Sequence, residues 1–373
     1  MASRSPLATM LWTITALAAI DLSFLAVREV EALRQLVPPS IVRYIEYGRS
    51  VPSKVGADIR SHGDLIGRDA WFVVQNPQAV TTQGRYPPRG GDRPCAAFYG
   101  MSFSNRIARA IEAGGAYDVR LVAGPGTPPN WSWAAYLADR SRSDCRDIVV
   151  WTIMTTEAWA LGSTTMLVHG FDSAKTYSMP GITETEGDLE LRWPAVSDPD
   201  AFLRMASSGD WDRLTDVLAQ EEPIFLPVAW RARWADRSSL LGFVRRGLAV
   251  NASLDTKAAM TGSSEALETS GILDALALMG ARFVETARRD GSVPVVLVIR
   301  NRDDAVDLAS LLCRRDATLP LFSTGTIVNP ANSDQFVSDG HYRSELDAAL
   351  ADGLVQAIET DTVGCEATVR PAR

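Results

Sequence analysis

A serine in the first half of the chain and an Asp-x-His triplet near its other end are the residues best suited to chemistry. Ser102 lies in residues 99–104, YGMSFS, and Asp339 precedes His341 by two positions. A histidine can take the proton of a serine hydroxyl, while a carboxylate orients the imidazole and stabilises its charged form. The sequence therefore predicts a nucleophilic Ser102, with His341 as general base and then acid, and Asp339 orienting it.

Ordinary structural roles compete with this prediction. Ser102 or Ser104 could cap a helix, and Asp339 could cap a loop. The other two histidines, His62 and His169, belong to no ligand pattern, and we interpret them as structural. The positions of these residues favour a catalytic role, because the serine follows the first predicted strand of one sheet and the Asp-His pair follows the last.

The elements that must position these residues alternate between strand and helix. Continuous apolar runs predict buried strands, and amphipathic runs predict the helices between them. This alternation predicts an α/β fold with a doubly wound parallel sheet, in which ligands bind at the carboxyl ends of the strands. The predicted strands cover residues 96–99, 119–123, 147–154, 293–299 and 319–323, and the predicted helices cover residues 105–113, 133–140, 265–289, 303–314 and 344–358.

Other parts of the chain depart from this alternation and divide it into segments. Residues 1–27 are predicted to form a transmembrane anchor, and residues 28–94 a membrane-proximal connector. The main domain is predicted over residues 95–373. Within it, residues from about 171 to 262 are predicted to be an insertion with a hairpin, signalled by the alternating residues 188–193, and short helices.

The first segment is the most apolar part of the sequence. Residues 7–27 have the length that a helix needs to cross a bilayer. A cleaved signal peptide is one alternative, although no small-x-small site ends the run. A buried helix is another, because Asp21 would need a partner helix or an interfacial position in a membrane. Arg4 before the run favours a cytoplasmic N-terminus and an extracytoplasmic, periplasmic bulk.

The sequence predicts neither a metal nor a cofactor. The four cysteines, Cys95, Cys145, Cys313 and Cys365, have no CxxC spacing, which argues against zinc. Outside the cytoplasm they could form disulfides, with Cys95 and Cys145 at the same end of neighbouring strands, or they could remain buried thiols. The loop GPGT at residues 124–127 is neither a P-loop nor a dinucleotide fingerprint.

The charge pattern excludes nucleic acid as the main partner. The formal net charge is -8, and basic residues are interspersed with acidic ones rather than clustered in a stripe. Ribonucleoprotein, zinc-finger and arginine-rich motifs are missing from the sequence. We therefore expect the chain to act on something other than a polyanionic nucleic acid.

Two short blocks resemble a known family. Residues 100–104, GMSFS, resemble the Gly-Asp-Ser-x-Ser block of SGNH (GDSL-like) hydrolases, and residues 339–341, DGH, resemble the family's C-terminal Asp/His block. The resemblance covers residues 95–154 and 265–358, and it implies a flavodoxin-like sheet. The segment order is most similar to the branch that acylates polysaccharides outside the cytoplasm, such as the alginate acetylation proteins and DltD-type proteins. This implies a polysaccharide or acylated carbohydrate as substrate, and a membrane-bound acyltransferase as partner.

The chain also departs from the family pattern. Met101 replaces the usual acid, and residues 152–157, TIMTTE, stand where a Gly-x-Asn-Asp block is expected. An oxyanion hole would therefore have to use the backbone of Ser102 with Gly126, Thr155, Thr156 or Asn130. This departure keeps open an alternative function, a non-catalytic scaffold or binding subunit that partners a membrane-bound acyltransferase.

Overall fold

The chain folds into two compact units. A computed structural model describes residues 6–62, 93–139, 142–168, 171, 178–195, 199–302 and 304–368. The first unit takes its residues from Met1–Asp64, Leu167–Lys175 and Phe202–Asp255. The second takes them from Leu65–Met166, Thr176–Ala201 and Thr256–Arg373, and it contains all the predicted site residues.

The second unit is built on a parallel five-stranded sheet, which confirms the predicted α/β class. Its order is β2-β1-β3-β6-β7, and a separate antiparallel hairpin pairs β4 with β5. Every residue of β1 and β3 is buried, so both faces of the sheet are covered there. The strands are β1 Cys95–Gly100, β2 Asp118–Ala123, β3 Ile148–Met154, β4 Gly181–Thr185, β5 Asp188–Arg192, β6 Val293–Ile299 and β7 Leu321–Ser323.

Helices connect these strands, but their bounds differ from the predicted ones. The helix predicted over residues 133–140 spans Pro129–Ala138, and the one predicted from residue 303 begins at Leu308. The first helix begins at Ser102 and not at residue 105, so the candidate nucleophile opens the helix. The run predicted over residues 265–289 is broken at Gly271, whose φ of 71° is incompatible with a right-handed helix. The helices of this unit are Ser102–Gly114, Pro129–Ala138, Thr155–Ala158, Ser264–Thr269, Ile272–Arg289, Leu308–Arg315, Ser344–Glu359 and Cys365–Thr368.

One hydrophobic core lies between the sheet and the two helices next to the candidate site. Phe98 and Leu297 of the sheet form one buried cluster with Ile107 and Leu350, which lie on the helices Ser102–Gly114 and Ser344–Glu359. Burying each such side chain contributes roughly 1.5–3 kcal/mol. This packing holds the helix that begins at Ser102 beside the helix that follows His341.

The first unit is helical. Within the predicted connector, one helix ends at Arg34 and the next begins at Pro39. The helices Pro39–Tyr47 and Val51–His62 belong to the same unit as residues 202–255. We call Pro6–Glu29 the anchor helix and Ser239–Thr261, whose first 17 residues belong to this unit, the collar helix. The other helices are Glu31–Arg34, Pro39–Tyr47, Val51–His62, Trp211–Glu221 and Pro227–Trp230, and Pro199–Ser208 joins the two units in sequence.

A partly buried carboxylate links three segments of the described part of this unit. Asp236 accepts hydrogen bonds from the hydroxyls of Ser50 and Ser53, at 2.6 Å and 2.5 Å, and from Arg245. Burial by itself would raise the pKa of Asp236, but these hydrogen bonds outweigh it and lower the pKa. Asp236 therefore stays charged and links Ser50 and the first turn of the helix Val51–His62 to the collar helix.

The anchor helix is long and apolar enough to span a membrane. It has 24 residues, and none of them is buried in the protein. A helix of this length is about 36 Å long at 1.5 Å per residue, slightly more than the hydrocarbon core of a bilayer. The predicted apolar segment is thus present as one continuous helix.

Two disulfides cross-link segments of the second unit. Cys95 of β1 is bonded to Cys145, which confirms the proximity predicted for this pair. Cys313 is bonded to Cys365, a pairing that the sequence did not indicate. The alternative of separate buried thiols is therefore wrong for all four cysteines.

Removing the second bridge should cost stability. It closes a loop whose ends are 52 residues apart. We expect the double substitution Cys313→Ser and Cys365→Ser to lower the free energy of unfolding by about 2–4 kcal/mol, because the unfolded chain gains freedom. Urea unfolding followed by circular dichroism measures this. An unchanged unfolding midpoint, together with reactive thiols in the unmodified protein, would contradict the pairing.

Candidate active site

Ser102 stands at the junction between β1 and the helix that follows it. The strand ends at Gly100, one extended residue intervenes, and the helix begins at Ser102. The first backbone N–H groups of a helix have no intrahelical acceptor and favour negative charge. Gly100 makes this tight junction possible, because a Cβ there would lie 2.5 Å from the hydroxyl oxygen of Ser104 and 2.6 Å from Cβ of Thr152.

The three residues that the sequence predicted to work together are in contact. The hydroxyl oxygen of Ser102 lies 2.7 Å from Nε2 of His341. On the other side of the imidazole, Nδ1 lies 3.1 Å from a carboxylate oxygen of Asp339. A carboxylate can only accept hydrogen bonds, so Nδ1 carries the proton and Nε2 is free to accept the hydroxyl proton of Ser102. This is the arrangement that activates a serine.

Asp339 holds the imidazole from an exposed position. Its side chain is 68% exposed, and the same oxygen also accepts the backbone N–H of His341 at 3.1 Å. The hydrogen bond from this backbone N–H, followed by the one from the imidazole, lowers the pKa of Asp339. The carboxylate therefore stays charged at neutral and mildly acidic pH.

A small hairpin presents His341 to the serine. An isolated antiparallel bridge joins Phe336 to Tyr342, and the N–H of Val337 donates to the carbonyl of His341 at 2.8 Å. Gly340 has φ of 88°, which a side chain would make costly. The ring of His341 is stacked on Phe103, the residue after the serine, with centroids 4.7 Å apart.

The hairpin is anchored by a closed ring of three hydrogen bonds. The hydroxyl of Tyr342 donates to the carbonyl of Arg300 at 2.5 Å, and the N–H of Arg300 donates to the hydroxyl of Thr324 at 2.7 Å. The hydroxyls of Thr324 and Tyr342 are 2.9 Å apart, so Thr324 donates the third bond. Arg300 and Thr324 directly follow β6 and β7, so the ring fixes the hairpin to the carboxyl edge of the sheet.

The connection from β7 to His341 is long. Residues 324–340 intervene and contain two short 3₁₀ turns, Thr324–Thr326 and Ser333–Gln335. Sequence reasoning missed the supporting roles of Phe103 and Tyr342. Both flank candidate catalytic residues directly, and their aromatic side chains are the signal that could have indicated support.

A second carboxylate lies on the helix that follows the hairpin. Asp347 is buried and forms an ion pair with Arg106, 2.7 Å from its Nε, which joins this helix to the one that begins at Ser102. Burial raises the pKa of Asp347, although Arg106 and His341 act in the opposite direction. The pair thus ties together the two helices that frame the site, at the cost of desolvating a carboxyl group.

Three of the four predicted oxyanion-hole residues lie at the carboxyl edge of the central strands. Thr155 and Thr156 directly follow β3, and the buried hydroxyl of Thr156 has no hydrogen-bond partner among the described residues. Gly126 lies in the loop after β2 with φ of 62°. The hydroxyl of Thr127 donates to the carbonyl of Gly100 at 2.7 Å, which ties this loop to the end of β1.

Asn130 has a different task. Its side-chain amide nitrogen lies within hydrogen-bond distance of the carbonyls of Leu161, Ser163 and Pro180, at 3.1, 3.1 and 2.9 Å. The residue is fully buried, so its donors are occupied in holding these loops together. The prediction that Asn130 serves an oxyanion hole does not fit this arrangement.

The topology explains why these residues meet. The chain passes from β1 to β2 on one side, then returns to β3 on the other side of β1. At such a switch point the connections diverge and leave a crevice beyond the carboxyl ends of the two strands. Ser102 follows β1 and Thr155 follows β3, so both lie at this place.

Comparison of the chain with protein-family models, with curated proteins and with solved structures gave no match. Within the described part of the chain, no group of three or more His, Cys, Asp and Glu side chains is placed to hold a metal ion. The predicted structural histidine His169 lies outside the described residues.

Neutralising Asp339 should slow any reaction of Ser102. We expect Asp339→Asn to reduce the rate of fluorophosphonate labelling by about 10- to 100-fold. The loss should be smaller than the roughly 10⁴-fold seen for buried acids, because water around this exposed position also stabilises the charged imidazole. Since the pKa of Asp339 is lowered, the difference should persist down to about pH 5. Asp334→Asn, in the same connection, is the control. Equal rates for both variants would rule out an orienting role.

Breaking the hydrogen-bond ring should loosen the hairpin. Tyr342→Phe leaves the carbonyl of Arg300 without its donor, so we expect about 1–3 kcal/mol less stability and slower labelling of Ser102. Urea unfolding and labelling kinetics measure the two effects. Tyr117→Phe is the matched control, since Tyr117 precedes β2 at the opposite edge of the sheet. If both variants keep full labelling rates, the ring does not position His341.

Proposed function

We propose that the chain is a serine-dependent O-acyltransferase or esterase that transfers an acyl group, most simply acetyl, to or from a carbohydrate. The observation that carries this proposal is the hydrogen-bonded series from Ser102 through His341 to Asp339, at 2.7 Å and 3.1 Å. Each of the three side chains has the chemical role that acyl transfer requires. The alternative of independent caps does not account for their mutual contact.

The proposed reaction proceeds in two halves. His341 takes the hydroxyl proton of Ser102 as the serine oxygen attacks the acyl carbonyl, and the backbone N–H groups at the helix start stabilise the oxyanion. The tetrahedral intermediate collapses, and His341 returns the proton to the departing alcohol. In the second half a carbohydrate hydroxyl, or water, loses its proton to His341 and attacks the acyl-enzyme. The bond to the serine oxygen then breaks, and His341 returns the proton to Ser102. The acceptor that reaches the intermediate decides between transfer and hydrolysis.

The finer fold assignment is part of this proposal. The order β2-β1-β3-β6-β7 is the flavodoxin-like order of doubly wound sheets, and this supports a doubly wound SGNH-type domain. The family resemblance depends on residues 100–104 and 339–341. These two blocks contain Ser102 and His341, which are in hydrogen-bonding contact. We therefore infer a divergent SGNH hydrolase-like enzyme of the polysaccharide-acylating kind.

The proposed oxyanion hole combines backbone and hydroxyl donors. The N–H of Ser102 lies at the helix start, and Gly126, Thr155 and Thr156 surround the ends of the neighbouring strands. Loss of one strong donor typically slows acyl transfer by about 100- to 1000-fold. A hole without the family's asparagine therefore suits a slow enzyme acting on an abundant polymer.

We place the enzyme at a membrane, with its bulk outside the cytoplasm. The anchor helix supports single-pass attachment through residues 7–27. The two disulfides support an oxidising, periplasmic compartment, because such bonds are rare in the cytoplasm. This location gives access to a cell-surface or secreted polysaccharide, and to a membrane-bound acyltransferase as partner.

Two observations favour a second candidate function. Asp339 is largely exposed, and threonines occupy the place of the family's Gly-x-Asn-Asp block. A domain that has lost catalysis could keep the fold and serve as a scaffold that holds the polysaccharide for the membrane-bound acyltransferase. The two functions differ in whether Ser102 reacts.

Intact-mass labelling with a fluorophosphonate or p-nitrophenyl acetate tests the proposal. We expect one adduct on the unmodified protein and none on Ser102→Ala. Ser104→Ala is the matched control, because Ser104 donates to the carbonyl of Met101 at 2.7 Å in the same turn but has no bond to the histidine. It should label normally. A folded protein that forms no adduct would contradict catalysis and favour the scaffold.

A further inference from the structure

The collar helix exposes an apolar stripe in its first three turns. Leu241, Val244 and Leu248 are 41%, 60% and 57% exposed, and their spacing places them on one face. Farther along the same exposed face, Asn251 and Asp255 are polar. Leu254 is also exposed, at 59%, but at about 100° per residue it lies on another side of the helix from these three residues. The stripe itself therefore ends about halfway along the helix.

An exposed tryptophan precedes this stripe. Trp234 is 66% exposed and lies in the turn Arg233–Arg237, directly after Arg233. Tryptophan is enriched at the boundary between a membrane and water. The turn leads directly into the collar helix, so the tryptophan and the stripe belong to one continuous segment.

Two hydrogen bonds connect this segment to the anchor helix. A carboxylate oxygen of Asp21 accepts the N–H of Leu240 at 2.9 Å, at the start of the collar helix. One turn farther along the anchor, Phe24 contacts Phe243 with centroids 5.6 Å apart. Arg28 donates to the carbonyl of Asp236 at 2.9 Å. The depth of the anchor in a bilayer therefore sets the depth of the segment.

The bonds to the anchor place the stripe at the bilayer surface. A span of about 20 residues that begins at Leu7 ends near Ala26. Asp21 then lies roughly 7 Å inside that boundary, at 1.5 Å per residue. Amphipathic helices at membrane surfaces bury their apolar face by about 5–10 Å. Arg28 lies just beyond the boundary, where its side chain, 10% exposed, is paired with Glu29 and with the carbonyl of Asp236.

We propose that the segment from Trp234 to Leu248 lies in the interfacial layer of the bilayer that the anchor helix spans. The inference depends on the membrane anchoring in the proposed function and is independent of acyl transfer. It gives Asp21 the partner that a carboxylate near lipid requires, namely the N-terminus of the collar helix. The first unit is then held at the membrane by a surface as well as by a single helix.

Fluorescence quenching in vesicles tests this placement. The native cysteines are paired, so Val244→Cys adds one free thiol for an environment-sensitive fluorophore on the full chain. The matched control is Asp255→Cys on the same face of the same helix, and Ile14→Cys reports on the anchor. In phosphatidylcholine–phosphatidylglycerol vesicles, we expect nitroxide-labelled lipid to quench the Val244 label several-fold more than the Asp255 label. Leu248→Cys should repeat the Val244 result.

The other outcomes separate the inference from the anchor on which it depends. Strong quenching at residue 14, with equal weak quenching at residues 244 and 255, would overturn the inference and leave the anchor in place. No quenching at any position would overturn both. A label at residue 244 that is shielded from lipid, in a variant that also cross-links to a second copy, would show a protein interface instead of a lipid one.

Discussion

Parallel strand pairing is the constraint on which the arrangement of the candidate site depends. It brings the carboxyl ends of β1, β3, β6 and β7 to one edge, although these strands are far apart in sequence. Ser102 follows the first of them directly, and the hairpin with His341 is fixed to the ends of the last two through the ring at Tyr342. A contact across 239 residues of sequence thus depends on the register of one sheet.

Two carboxyl groups near His341 are held in opposite electrostatic conditions. Hydrogen bonds lower the pKa of the exposed Asp339, whereas burial raises that of Asp347. The exposed group contacts the imidazole and the buried group pairs with Arg106. The negative charge that the proposed chemistry needs therefore comes from the solvated carboxylate of Asp339. The buried ion pair of Asp347 with Arg106 joins two helices.

The first unit shows how a charged residue can accompany an apolar helix. Asp21 is the one carboxylate within the apolar run, and its bond to the N–H of Leu240 satisfies both the carboxylate and an unpaired donor at a helix start. Asp236 does the same for the hydroxyls of Ser50 and Ser53. In both places a single acid links segments that are distant in sequence. Its hydrogen bonds favour one geometry, which apolar packing alone would not.

The sequence by itself determined the α/β class, the five strands, the long apolar helix and the pairing of Ser102 with Asp339 and His341 as candidates. These follow from local patterns, namely apolar runs and short blocks of chemical residue types. The tertiary structure decided the break at Gly271, the occupied donors of Asn130, the Cys313–Cys365 bridge and the partner of Asp21. Each of these depends on which distant groups come within hydrogen-bonding or covalent reach, or on a backbone angle, and such information is present only once the chain has folded.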